Sequence, residues 1–324
     1  MAIDKSGTKF LLYIKRRMVV KNPELVVKES FSLKQYFSWK VLKLIIKTGI
    51  IKSNLMGMFA GLCFALYVYD ISFAERIPDI ILSLIGSAFV VGGSGAINNY
   101  YDRDIDAIMK RTQDRPTVDG SINPKFALWL GIFLVAIGIA LLLAVSYIAA
   151  FIGFLGFAFY VFAYTMLTKR TTIYNTEVGC LSGAMPPLIG WAVISTDILH
   201  PVALGLFAFM FLWQPPHFYA IAIRRLNEYK AAGVPMLPVV KGIYRTKVQS
   251  ILYLVLLLAV SFIFWPYSKI IAISMFILTL AWMVLGIWGF KKLKNEKWAT
   301  LMFVFSLNHL TILFGLMMII SFIG

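Results

Sequence analysis

Acidic residues, histidines and cysteines are all scarce in this chain of 324 residues. Asp and Glu number 15 against 31 Lys and Arg, and charged residues of both signs make up only 14%. A soluble domain carries about 25% charged and about 45–50% apolar residues, whereas here 60% are hydrophobic. Such a chain is too apolar for intrinsic disorder. It also has more apolar side chains than one buried core can absorb, so lipid is the expected solvent. The two cysteines, Cys63 and Cys180, both lie in apolar runs, which excludes a disulfide framework and a Cys-rich metal site. The three histidines, His200, His217 and His309, are far apart in sequence, which argues against a His-rich metal site. A net charge of +16 would suit nucleic acid if it formed one patch, but it is scattered over many loops, so no nucleic-acid partner is expected.

What the chain does have is long apolar runs. A hydrocarbon core about 30 Å thick takes about 20 apolar residues per helical span. Nine such spans are predicted, over 48–69, 78–97, 125–146, 148–168, 174–195, 199–221, 247–266, 270–290 and 300–323. The runs are continuous and do not alternate with polar residues, which favours helices over a barrel. The expected fold class is therefore all-α, a polytopic bundle of nine transmembrane helices. Spans three and four, divided only at Ser146-Tyr147, should form a tight hairpin. Residues 1–47 read as a basic cytoplasmic segment and 48–324 as the transmembrane domain.

Orientation follows from lysine and arginine. Residues 1–47 hold eleven of them, and further groups follow spans two, four, six and eight. The other side shows only Arg76 and Lys269. The N-terminus is thus expected in the cytoplasm and the C-terminus in the periplasm. The first segment lacks a signal peptide's apolar core and cleavage site, and it is too lysine-rich and acid-containing for a transit peptide. A bacterial inner membrane is expected. The segment either lies on the anionic inner face or is a basic tail.

Ionisable groups at membrane depth are costly and mark function by default. The richest group ends span two, where Asn98, Asp102 and Asp106 stand four residues apart and would share one helix face. Neighbours in the trio are about 6 Å apart along the axis, a spacing that suits hard oxygen ligands around Mg²⁺ and a phosphate. The competing reading is a solvated, charge-balanced loop. Asp104 points off that face and should pair with an arginine. Gly92, Gly93 and Gly95 would let a helix or ligand approach the backbone. Arg111 and Arg115 follow, then Lys169 and Arg170 after span four beside Thr168 and Thr171; both sets could clamp phosphate or simply set topology.

A third group, Trp213-Gln214-Pro215-Pro216-His217-Phe218, lies inside span six. Two consecutive prolines are expected to break the helix there, beside Gln214 and His217. Span five repeats the device more mildly at Pro186-Pro187. A lone intramembrane histidine can also be mere glue between helices.

Four of these segments in order resemble one family. N-x-x-x-D-x-D-x-D from Asn98, M-x-R-T-x-x-R-P from Met109, Y-T-x-x-x-K-R-T from Tyr164, and W-Q-x-P-H-F around Gln214 with a later A-A-G-V-P-M-L-P-V-V look like the UbiA-type intramembrane prenyltransferases. The likeness is greatest to members whose acceptor is haem b, and it covers about residue 48 to the C-terminus. It implies nine helices around a central cavity open to lipid, and transfer of farnesyl from farnesyl diphosphate to the vinyl group of haem b, giving haem O. It also implies Mg²⁺ on Asn98, Asp102 and Asp106, the diphosphate on Lys169 and Arg170 with Arg111 and Arg115 nearby, and a haem A synthase or terminal oxidase downstream. Gln214 and His217 would lie near the porphyrin. The chain departs from members acting on aromatic acids, which carry a second aspartate-rich motif after span six. Here that region offers only Asn227 and Glu228, the latter a candidate substrate contact. The alternatives are a family member acting on a quinone precursor, a transporter, and a non-catalytic assembly factor. A transporter would not need carboxylates clustered at one end of a span, and an assembly factor would not need Asp102 together with Asp106.

Overall fold

The computed structural model describes residues 38–323. Most of the basic N-terminal segment, residues 1–37, lies outside them. Among the described residues nine helices are long and apolar enough to cross a membrane. A short helix α1 (Trp39–Ile45) leads into α2 (Thr48–Tyr69) and α3 (Ile77–Tyr101). A one-and-a-half-turn helix α4 (Arg103–Ile108) continues from α3. Next come α5 (Pro124–Val145) and α6 (Tyr147–Ala158), which runs on as a π-helix over Phe159–Thr168. The fifth span is divided into α7 (Asn175–Gly183) and α8 (Met185–Ile194), and the sixth is α9 (Pro201–Arg224). Two short helices, α10 (Leu226–Ala231) and α11 (Leu237–Val240), precede α12 (Gly242–Ser261), α13 (Lys269–Lys292) and α14 (Asn295–Ile323).

The tight hairpin is present: Ser146 alone separates α5 from α6, and its hydroxyl accepts the Ala149 N–H at 3.3 Å. Span two is longer than its apolar run, because the helix carries on through Asn98, Asn99, Tyr100 and Tyr101. The proline expectation is reversed in part. Helix α9 runs unbroken through Pro215 and Pro216, and it is the fifth span that breaks, at Ala184. In that span Pro186 and Pro187 occupy the first turn of α8, where a missing N–H costs nothing. In α9 the Gln214 side chain, just before the prolines, donates to the Met210 carbonyl at 3.0 Å and to Cys180 O at 3.1 Å.

Lipid removes the usual drive for apolar packing, so helices associate through close backbone approach. Helices α3 and α5 do so through facing glycines: a Cβ on Gly93 would lie 2.6 Å from Gly131 O, and one on Gly131 2.7 Å from Gly93 O. Helices α2 and α8 meet still more closely. A Cβ on Gly190 would stand 1.9 Å from Met58 O, and one on Gly61 2.2 Å from Pro187 O. These contacts hold the N-terminal spans as a rigid frame beneath the loops that follow spans two, four, six and eight. Those loops share one membrane face with α1 and carry nearly all the basic residues. The opposite face ends in an aromatic group in which His200 lies 5.0 Å from both Trp191 and Tyr267.

Candidate active site

On the basic face the end of α3 builds a polar mouth. The helix closes at Tyr101, Asp102 caps it (φ −90°, ψ 3°), and α4 restarts at Arg103. Asp102 N donates to Asn98 O at 2.9 Å and Asp106 N to Asp102 O at 2.8 Å. The path therefore stays nearly helical, and Asn98, Asp102 and Asp106 turn to the same side. All three are buried, Asp102 to 1% exposure. Buried carboxylates need partners, and these come from distant segments. Lys169 pairs with Asp102 and Arg115 with Asp106. Asn98 donates to Asp102 Oδ2 at 2.7 Å and to Thr165 Oγ1 at 2.9 Å. Arg170 grips Asp104 through two bonds of 2.6 and 2.7 Å, as expected for the aspartate off the shared face. Thr165, Lys169 and Arg170 reach the mouth from the π-helical end of span four, where Lys169 N bonds back to Tyr164 O at 2.9 Å. Such widened turns recur at functional sites.

One member of this mouth was not foreseen from the sequence. Lys47, which had counted only as a topology charge, sits at the corner between α1 and α2 with left-handed backbone (φ 55°) and donates to Asn98 Oδ1. Burial pushes its amine well below the ordinary lysine value; Arg115 adds to that, while Asp102 and Asp106 oppose it. The signal available was its place one residue before the first span, level with the end of the second. Asp104 titrates below the usual carboxylate range: partial burial works against this, but the hydrogen bond and charge of Arg170 outweigh it.

The result is four basic side chains, Lys47, Arg115, Lys169 and Arg170, around two buried carboxylates and the exposed Asp104. Asp102 Oδ1 is left buried without a hydrogen-bond partner. Among the described residues no three His, Cys, Asp or Glu side chains are grouped closely enough to hold a metal by themselves. A donor set of two carboxylates and an amide oxygen fits Mg²⁺, which takes one or two carboxylates and completes its shell with water and phosphate. The unpartnered Asp102 oxygen is the observation that supports this fit. The basic side chains beside it suit a polyanion.

The remaining candidates stand apart. His217 is buried deeper in α9, stacked on Trp213 with ring centroids 4.7 Å apart and close to Phe303 at 5.0 Å. Its Nδ1 shares a 2.6 Å hydrogen bond with Ser306 Oγ, whose own proton goes to Phe303 O at 2.6 Å. That arrangement assigns the ring proton to Nδ1, with the lone pair on Nε2. Trp213 Nε1 donates to Ser306 O at 3.2 Å. The Gln214 side chain fills the space a Cβ on Gly183 would take, 2.0 Å from Gln214 Oε1. Arg111 is exposed and forms no ion pair with any described residue. Glu228 pairs with Arg225 at 2.7 Å and does not join the aspartates. The mouth thus gathers Asn98, Asp102, Asp106, Arg115, Lys169 and Arg170, while Gln214 and His217 lie together on α9, the first facing the fifth span and the second α14, and Arg111 and Glu228 belong to neither place.

The family model described as the UbiA prenyltransferase family matches residues 54–317. The chain is 59% identical over 281 residues to a protoheme IX farnesyltransferase of Shouchella clausii, covering 87% of this chain and 90% of the relative. It is 55% identical over 285 residues to protoheme IX farnesyltransferase 1 of Bacillus cytotoxicus, covering 88% and 93%. Among solved structures, a UbiA homolog from Archaeoglobus fulgidus bound to DMAPP and Mg²⁺ superposes with a TM-score of 0.66. That likeness has 14% identity and covers 84% of this chain and 99% of the other, so it speaks to the fold.

Proposed function

The chain belongs to the UbiA prenyltransferase family, and from that membership we infer that it transfers the farnesyl group of farnesyl diphosphate to the vinyl group of haem b, giving haem O. The observation that carries this reading is identity of 55% and 59% to relatives of one activity, over nearly nine-tenths of the chain. Incubating the purified protein with farnesyl diphosphate, haem b and Mg²⁺ and identifying the product by mass tests it. A prenylated phenolic acid with no haem product would refute it.

In the reaction the C1–O bond of the diphosphate breaks and its electron pair leaves with pyrophosphate. The vinyl π electrons form the new carbon–carbon bond, and a water oxygen captures the resulting cation as its proton departs. We assign the diphosphate to the polar mouth. Mg²⁺, when bound by Asn98, Asp102 and Asp106, supplies charge neutralisation to the leaving group. Lys47, Arg115, Lys169 and Arg170 hold the diphosphate oxygens and take up the negative charge that grows as the bond breaks, an effect strengthened where water is scarce. Gln214 and His217 receive the haem: Trp213 offers a flat ring, and His217 Nε2 a lone pair for iron or for a propionic acid proton.

The basic face is assigned to the cytoplasm of a bacterial inner membrane, with the C-terminus outside. Cysteine labelling that finds positions 169 and 269 on the same side of the membrane would overturn that orientation.

A further inference from the structure

Arg170 stands between two acids of unequal standing. Its guanidinium is bound twice by Asp104, at 2.6 and 2.7 Å, and donates to the Tyr101 carbonyl at 3.0 Å. On its other side it lies 3.9 Å from Asp102 Oδ1, the buried oxygen with no hydrogen-bond partner. Asp104 is exposed, and it bonds no other member of the mouth. Next to the Asp104–Arg170 pair is a cavity of about 190 Å³, lined also by Ile105, Ile108 and the Ala232–Val234 turn. Lys169 and Arg115 pair instead with the buried aspartates themselves.

We propose that Asp104 is a positioning residue that competes with the diphosphate for Arg170. Resting on the diphosphate reading of the mouth, the exchange works as follows. In the empty enzyme Asp104 holds Arg170 at the rim, short of Asp102. A diphosphate entering the mouth offers more charge and more acceptor oxygens in the geometry a guanidinium prefers, so Arg170 leaves Asp104 for the phosphate. When pyrophosphate must depart, Asp104 takes the guanidinium back. The aspartate therefore weakens diphosphate binding and favours product release, the opposite of what its neighbours Asp102 and Asp106 do three-dimensionally close by.

The test is calorimetric titration of the full-length protein in lipid nanodiscs with inorganic pyrophosphate, with Mg²⁺ and again with EDTA. Asp104→Asn should bind pyrophosphate about threefold more tightly, the scale of a half-exposed ion pair. Arg170→Ala should bind about tenfold more weakly. In the double variant Asp104→Asn should no longer have an effect. A weaker affinity in Asp104→Asn, an unchanged one, or an equal gain with and without Arg170 would each overturn the competition. If the unaltered protein binds no pyrophosphate in either condition, the diphosphate reading of the mouth fails, and the competition with it.

Discussion

The polar mouth at the end of α3 and the group around His217 are built on opposite plans. The mouth is charged, and its members come from five segments spread between Lys47 and Arg170. The second group is neutral and aromatic, and its members Trp213, Gln214 and His217 lie within five residues of one helix, Trp213 and His217 held to α14 through Ser306 and Gln214 to the fifth span through Cys180. A charged site assembled from many segments adapts to a small, highly charged ligand whose charge grows during reaction. A site on one rigid helix suits a large planar ligand that must be held in one orientation. The proposed assignment of diphosphate to the first and haem to the second matches how each is made.

Single substitutions should separate the two. The largest effect is expected from Asp102→Asn, which removes a buried carboxylate from the mouth: turnover should fall on the order of 100-fold or more, with a lowered melting temperature because Lys169 loses its buried partner. Lys47→Met should cost about tenfold in farnesyl diphosphate affinity, with haem binding intact by Soret titration. His217→Ala should show the mirror pattern, a several-fold loss of haem affinity with diphosphate-analogue binding unaltered. Equal loss of both affinities in either variant would dissolve the comparison. Ser306→Ala, which leaves the His217 ring in place but frees its tautomer, should reduce productive haem binding only about two- to threefold. Asp119→Asn, at an exposed turn where the carboxylate accepts only from Ser121, should be nearly silent in either assay.

The nine spans were legible because hydrophobic length is a one-dimensional property. So was the aspartate trio, since its members share one helical path. Arg115, Lys169 and Arg170 were found by residue type, although sequence alone could not separate phosphate binding from topology. Lys47 was missed because its role depends on the corner that swings α1 against α3, a tertiary fact. The proline pairs misled for a related reason. A Pro-Pro pair states which N–H groups are absent, but whether the helix breaks depends on what surrounds it; α9 continues through its pair, whereas in the fifth span a new helix starts at the prolines. The partnership of His217 with Ser306, 89 residues away, is likewise written only in the packing.

The glycine contact between α2 and α8 also bears on how the protein is made. Gly61 and Gly190 are 129 positions apart, and a ribosome adding about 5–20 residues per second needs roughly ten seconds to cover that interval. For that time the first span rests in the bilayer with its small-residue groove filled only by lipid tails. Membrane insertion must therefore keep that face of the first span available until the fifth arrives, although the second span already packs against the first.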